Sequence, residues 1–242
     1  MPRRRADRAL VERGFFDSRA KAQAAIAAGL VTADGVVVRK ASDPLDDAAA
    51  IRTVPPYPWV SRGGVKLAAA LDAFAIDSSG RVCLDLGAST GGFTHVLLDR
   101  GAARVYAADV GHGQLHPTIA ADPRVVGLEG VDARCLDAAS VPEPIDLLVA
   151  DVSFISLKLV LPPVLPLLAP AAALVALVKP QFEAGPAHVR KGIVRDAAVR
   201  EMVCNDAIAF VTARGFTVVG VLPSPIAGGD GNREFLLGAR RG

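Results

Sequence analysis

The segment CLDLGASTGGFT, residues 83–94, limits what this chain can fold into more than any other. A short apolar run ends in a turn holding Gly87, Gly91 and Gly92, and a helical pattern follows at once. Glycines at that spacing let the backbone turn tightly and approach a ligand, which is how a doubly wound α/β sheet opens. The region beyond keeps the same rhythm. Apolar, β-rich runs at 82–86, 104–109, 125–128, 146–151, 173–179, 216–221 and 234–238 alternate with helical patterns near 62–76, 92–100, 115–121, 155–168 and 196–214. Strands separated by helices make parallel βαβ units, so a mostly parallel, Rossmann-like α/β sheet is expected. Only PSPIAGGDGNR separates the last two runs, which predicts an antiparallel hairpin at that end. With aromatic residues at 5% and hydrophobic ones at 51%, the core must be aliphatic.

Ahead of this region lies a differently patterned module. The string VPPYPWVS, residues 54–61, carries three prolines and marks the boundary. The expected organisation is therefore a small α+β domain over 1–54, a Pro-rich linker over 55–61 and the Rossmann-like domain over 62–242. The whole chain has a net charge of only +2, too little for a polyelectrolyte binder, yet residues 1–40 hold nine Arg and Lys against four acids. Apolar Leu10, Val11, Ala22, Ala25 and Ile26 predict two short helices, the second capped by Ser18 and closed by Gly29. VTADGVVV then predicts two short strands around an Asp-Gly turn. Arg4, Arg5, Arg8, Arg19, Lys21 and Lys40 are placed to line one face and suit RNA phosphates, although any solvated helix carries such charges.

The pattern says more than the charge. R-x-D-x-x-L-V-x-x-G from Arg5, then S-R-x-x-A-x-x-x-I-x-x-G-x-V from Ser18, then Asp34-Gly35 and Val38-Arg39-Lys40, resembles the αL RNA-binding domain. That domain occurs in a small-subunit ribosomal protein, in pseudouridine synthases and in tyrosyl-tRNA synthetases. The resemblance implies RNA binding by this module. Asp34 stands where Asn is usual before the turn glycine, and serves the turn equally well.

In the larger region, Asp109 ends the second apolar run 24 residues after Asp85, where doubly wound folds place an acid on ribose hydroxyls. Asp132 follows the third run and is a candidate for the adenine or ribose. No Lys or Arg occurs from Val82 to Asp99, and Ser89 replaces the second glycine of a dinucleotide fingerprint. A pyrophosphate would be repelled by such acids, whereas a sulfonium bearing an amino group is attracted. S-adenosylmethionine is the expected cofactor, ahead of NAD.

Four more charged residues concern the acceptor. Lys66 precedes the first run, Asp151 ends DLLVAD, Lys179 ends ALVALVK, and Glu234 opens EFLLG. Charges at the ends of buried strands point toward the crevice where such folds bind ligands, although a single Lys is commonly a snorkelling surface residue. Methylating a ribose hydroxyl requires removal of a reluctant proton, and a cluster of lysines and carboxylates can assist. Methylation of a base nitrogen would call for a proline-containing loop after the fourth run; Asp151-Val152-Ser153-Phe154 has none, so a hydroxyl acceptor is preferred.

The motifs VSRGGVKL, LDLGASTGGFT, DVGHGQL, DVSFISL, VKPQFEAG, KGIVRD, PSPI and GNREFLL together resemble the TlyA family across essentially the whole chain. The resemblance implies an αL RNA-binding domain joined to an FtsJ-like methyltransferase that methylates cytidine 2′-hydroxyls of 16S and/or 23S ribosomal RNA in ribosomal subunits. It implies a catalytic tetrad at Lys66, Asp151, Lys179 and Glu234, with a lysine as the deprotonating group. It also implies a cofactor motif from Gly87 to Phe93, so that Gly87, Ser89, Thr90, Gly91, Gly92 and Phe93 are expected at the cofactor; Asp85, Asp109, Asp132 and Asp151, read from the strand ends, are expected beside them. Arg62 and the loop cations Arg190, Lys191 and Arg195 join the basic module as expected RNA contacts. Tyr57-Pro58-Trp59-Val60 departs from the Arg-Ala-Trp-Val linker of some members but keeps the Trp.

Other readings are weaker. His112 and His116 are spaced for one helix face but lack a third ligand nearby, so no metal is expected. Cys83, Cys135 and Cys204 form no paired motif, and no apolar leader follows the N-terminal arginines, so a reducing, cytoplasmic setting is expected. Residues 159–178 are twenty in a row without charge, long enough for a membrane span. Prolines at 162, 163, 166 and 170 favour a buried helix, a turn and a buried strand instead, with no stable membrane insertion. Family members labelled haemolysins keep a membrane-active alternative open, and a non-catalytic RNA-binding assembly factor is the other.

Overall fold

Ser18 Oγ accepts the amide of Lys21 at 3.3 Å and so starts the second helix of the N-terminal unit, as its N-cap position requires. In the computed structural model, which describes residues 3–228 and 231–242, Arg62 ends one compact unit and Gly63 begins the other. The first contains β1 (Arg3–Arg5), α1 (Ala6–Glu12), α2 (Arg19–Ala27), β2 (Val31–Ala33), β3 (Val36–Val37), β4 (Pro44–Asp46) and β5 (Ile51–Thr53). Asp34 and Gly35, with φ of 49° and 80°, make the tight turn that pairs Ala33 with Val36. Strand β5 adds to the other side of β2, and β1 pairs with β4. Leu10, Ala22, Ala25, Ile26, Val31 and Leu45 fill the small core between the helices and these strands.

The second unit contains α3 (Gly63–Ala73), β6 (Val82–Leu86), α4 (Gly92–Asp99), β7 (Arg104–Asp109), α5 (Pro117–Ala120), β8 (Val125–Glu129), β9 (Ile145–Ala150), α6 (Leu157–Val164), β10 (Leu168–Val178), α7 (Pro180–Glu183), α8 (Ala197–Thr212), β11 (Phe216–Pro223) and β12 (Phe235–Arg241). Its seven strands are ordered β11-β12-β10-β9-β6-β7-β8. From β10 to β8 every pair is parallel, whereas β12 runs antiparallel to both β10 and β11. The expected hairpin is present, and β12 is the strand inserted against the parallel part; residues 229 and 230 of its connection lie outside the described residues.

The uncharged stretch 159–178 resolves into the end of α6, a 3-10 turn and β10. Pro162 and Pro163 fall in the last turn of α6, and residues 172–178 are buried between β9 and β12. Its hydrophobicity is that of a central strand covered on both faces. Among the described residues no helix is long and apolar enough to cross a membrane. Leu84, Leu86, Leu148, Ala150, Leu174 and Ala176 form the aliphatic layer that supports the carboxyl ends of the strands.

Candidate active site

Sheet register brings four distant charges together. Ala150 pairs with Ala176 in the parallel β9–β10 ladder, so Asp151 and Lys179 leave the sheet at the same edge. Because β12 is antiparallel, its first residue, Phe235, pairs with Val178, which puts Glu234 beside Lys179. Helix α3 delivers Lys66. Lys66 Nζ donates to Glu234 Oε2 at 2.7 Å and lies 3.9 Å from Asp151 Oδ2. Lys179 Nζ lies 2.7 Å from Asp151 Oδ1 and donates to Ser153 Oγ at 2.9 Å. Lys66, Lys179 and Glu234 are only 7%, 7% and 4% exposed. Two lysines are thus paired with two carboxylates, of which Asp151 is the more accessible, its side chain 20% exposed, and pairing of this kind is how such charges persist when buried.

The glycine turn sits against the same group. Gly87 has a φ of +79°, and a Cβ there would stand 2.8 Å from the carbonyl oxygen of Asp151. Asp151 in turn donates its amide to Leu86 O at 2.9 Å. Turn and tetrad are thus one backbone assembly, and Gly91, also left-handed, starts α4. Asp85 is fully buried; its Oδ2 accepts from Thr94 Oγ1 at 2.7 Å, and its Oδ1 has no hydrogen-bond partner among the described residues. Burial pushes its carboxyl up to about 7, with Asp151 and Asp109 acting in the same direction and Thr94 opposing. Asp109 accepts the amides of Ser89 and Gly111, each at 2.8 Å, and so ties the turn to the loop after β7. Ser89 and Thr90 are exposed, whereas Gly91, Gly92 and Phe93 are buried. Asp132 caps a short turn and takes a forked contact from Arg134, whose guanidinium holds its carboxyl down at about 2.

These residues fit S-adenosylmethionine. The turn has no room for a side chain at Gly87, a buried carboxyl oxygen of Asp85 has no hydrogen-bond partner among the described residues, and residues 82–99 hold no Lys or Arg to oppose a cationic ligand. His116 Nδ1 caps α5, and the His112 ring lies against Gly130. Among the described residues no cluster of three or more His, Cys, Asp or Glu could hold a metal.

The basic residues divide by environment. Arg5 and Arg19 both reach Asp7, which is fully buried and also accepts from Gln23 at 2.8 Å. Arg4 pairs with Glu12 and lies 3.6 Å from Asp47. Lys21 is not on an open face: its side chain is 14% exposed, with Nζ near Asp17 and over the ring of the buried Tyr57. Arg8, Lys40 and Arg62 are exposed, as are Arg190, Lys191 and Arg195.

Two features of the site escape a reading of the sequence. Phe154 is 91% exposed at a left-handed φ of 64° and packs against Phe182, with ring centroids 5.2 Å apart. Lys179 Nζ is 6.0 Å from the centre of the Phe182 ring. Positive φ at a bulky residue has no sequence signature, although DVSF and KPQF place both aromatics near the ends of β9 and β10. Asn232 is buried and holds the loop at 192–194; in the sequence it stands out only as part of the string GNREF.

A parallel sheet with one inserted antiparallel strand, a glycine turn at its carboxyl edge and a separate small basic unit define a Rossmann-like methyltransferase carrying an RNA-binding domain. Residues 59–241 match the FtsJ-like methyltransferase family and residues 4–51 the S4 domain. The 16S/23S rRNA (cytidine-2′-O)-methyltransferase TlyA of Mycobacterium tuberculosis is 47% identical, over 98% of this chain and 90% of its own length. Hemolysin A of Brachyspira hyodysenteriae is 42% identical, over 96% and 98%. A solved structure from Streptococcus thermophilus that carries the hemolysin name superposes with a TM-score of 0.78 at 39% identity, covering all of this chain and 89% of that one. The chain belongs to the TlyA family of FtsJ-like methyltransferases.

Proposed function

We propose that this protein is an S-adenosylmethionine-dependent ribosomal RNA 2′-O-methyltransferase that modifies cytidine in ribosomal subunits, in the cytoplasm. The observation that carries this reading is the buried Lys66–Asp151–Lys179–Glu234 cluster, built onto the same backbone assembly as the glycine turn. The cytidine and the ribosomal substrate come from the name of the Mycobacterium relative. Residues Gly87–Phe93 with Asp85, Asp109, Asp132 and Asp151 would hold the cofactor, which when bound supplies an electrophilic methyl group on a sulfonium.

The chain's own residues do the rest. Lys66, gripped by two carboxylates, fixes the cluster. Lys179 has one carboxylate and a serine hydroxyl as partners and faces Phe182; it is the lysine assigned to take the proton of the ribose hydroxyl. Asp151 lies between the two lysines and orients both. The Phe154–Phe182 pair offers a stacking surface for a base taken out of its helix. Arginines of the N-terminal unit hold RNA phosphates, which fixes the substrate without reading its sequence.

The test is transfer of labelled methyl from S-adenosylmethionine to separated, unmodified 30S and 50S subunits, comparing wild type with Lys179→Ala. Transfer by wild type alone, mapped to a cytidine 2′-oxygen, is the expected result. Label on a base would overturn the assignment of the tetrad. Cofactor binding without transfer to either subunit would point to an assembly factor.

A further inference from the structure

The loop between α7 and α8 carries Arg190, Lys191 and Arg195, and its tip is a tight two-residue turn. Arg190 and Ile193 exchange both backbone hydrogen bonds, at 3.0 and 3.1 Å. Lys191 and Gly192 between them have φ of 51° and 76°. A turn with two positive φ values favours Asn, Asp or Gly at its first central position. Lys191 is none of these. A lysine held in a strained conformation at an exposed tip suggests that the charge itself is wanted there.

Asn232 grips this turn from behind. The residue is 2% exposed; Oδ1 accepts the amide of Val194 at 3.2 Å, and Nδ2 donates to Gly192 O at 2.8 Å. A side-chain amide supplies both an acceptor and a donor on adjacent atoms, as these two contacts require. The carbonyl of Asn232 accepts the amide of Gly228 at 2.9 Å. Gly228 in turn lies so close to Glu234 that a Cβ there would stand 2.5 Å from Oε1. A short chain of contacts therefore runs from Gly192, the residue after Lys191, through Asn232 and Gly228 to the carboxylate that holds Lys66. Beside the turn, His188, Arg190 and Arg195 line a cavity of about 360 Å³ against the start of α8.

We propose that Asn232 is a positioning residue for RNA, holding the 190–193 turn so that Lys191 and its flanking arginines meet the RNA backbone at a fixed register from Glu234. This rests on the reading of the chain as an RNA methyltransferase and assigns the element that sets the distance between backbone and reacting ribose. Anchoring the cations in advance leaves less entropy to be lost when RNA binds.

The test measures retention of labelled 16S and 23S ribosomal RNA by wild type, Asn232→Leu, Lys191→Asn and the double variant, over a range of salt, with cofactor affinity measured alongside. Leucine fills the space of the amide without adding charge. Asparagine at 191 suits the turn and removes only the cation, so that variant serves should Asn232→Leu fail to fold. The expected result is RNA affinity about tenfold weaker for each single variant, with a salt slope lower by roughly 0.7–0.9 for each phosphate no longer neutralised. Cofactor affinity should stay within about twofold, and the double variant should be little worse than the worse single one. RNA affinity and slope like those of wild type in Lys191→Asn would overturn the proposal, as would a parallel loss of cofactor binding in Asn232→Leu. If wild type binds RNA through Asn232 and Lys191 but transfers no methyl group, the catalytic reading fails while this one stands. If wild type retains no ribosomal RNA, both fail.

Discussion

Lys66 and Glu234 are 168 residues apart in sequence, and their charged atoms meet at 2.7 Å in a buried site. The contact ties α3 to the start of β12, the strand that runs against the parallel set. An ion pair in such a place is weak evidence for stability, because removing two charges from water offsets most of their attraction. Its position at the carboxyl edge, with Asp151 and Lys179 alongside, is the one the proposed catalytic role requires.

That distinction is measurable. Glu234→Gln should destabilise the protein by about 3 kcal/mol, because Lys66 loses its nearer carboxylate inside the structure. The double change Lys66→Met with Glu234→Leu should recover most of that stability, since an apolar pair of similar volume needs no compensation. It should not recover methyl transfer. Denaturant unfolding and a transfer assay on the same samples check both halves. Activity returning together with stability would show that the pair is only structural.

The sheet was legible because central strands covered on both faces read as unbroken apolar runs, as 173–178 does. The tetrad was visible for a related reason: a charge that ends such a run, like Asp151 or Lys179, stands out against its neighbours. The N-terminal unit hid more. Strands β1, β4 and β5 are three residues each, too short for any alternation to show. The helix expected over 115–121 is only Pro117–Ala120. Charge alone placed Lys21 with the surface arginines, whereas Asp17 and Tyr57 draw it inward. Phe154 and Asn232 depend on a backbone angle and on tertiary hydrogen bonds, and neither leaves a trace in residue spacing.

Asp85 should make stability fall as pH rises. Burial raises its carboxyl to about 7 in the folded protein, against an ordinary value of 3.8. Between those limits the unfolded chain has released this proton and the folded one has kept it, so unfolding is increasingly favoured across that window and levels off above it. Asp85→Asn keeps an acceptor for Thr94 and has no charge to bury. Relative to wild type without cofactor, the variant should gain stability from pH 5 to about pH 7 and little more by pH 8. Urea unfolding at both limits checks this, and a difference that does not change with pH would show that Asp85 is ionised throughout.

Asp7 provides a case in which removing a negative charge should weaken binding to a polyanion. Its carboxylate is fully buried and takes contacts from Arg5, Arg19 and Gln23. Arg5 and then Arg19 hold it well below the usual carboxylate range. By sign, this contribution to stability is present above the ordinary carboxylate value and is lost as pH falls below it. The two guanidiniums, each about half exposed (47% and 50%), are thereby held in place with their outer donors available. Asp7→Asn raises the formal charge of the chain one unit above its present +2, and simple long-range attraction would then predict tighter RNA binding. A fixed pair of guanidiniums that recognises phosphate by geometry predicts the reverse, a loss of about tenfold at moderate salt, because both side chains become free to wander. Ribosomal RNA retention by the two proteins, at a pH above 6 so that Asp7 is ionised in wild type, decides between them. Tighter binding by Asp7→Asn would mean that Arg5 and Arg19 act only through their summed charge.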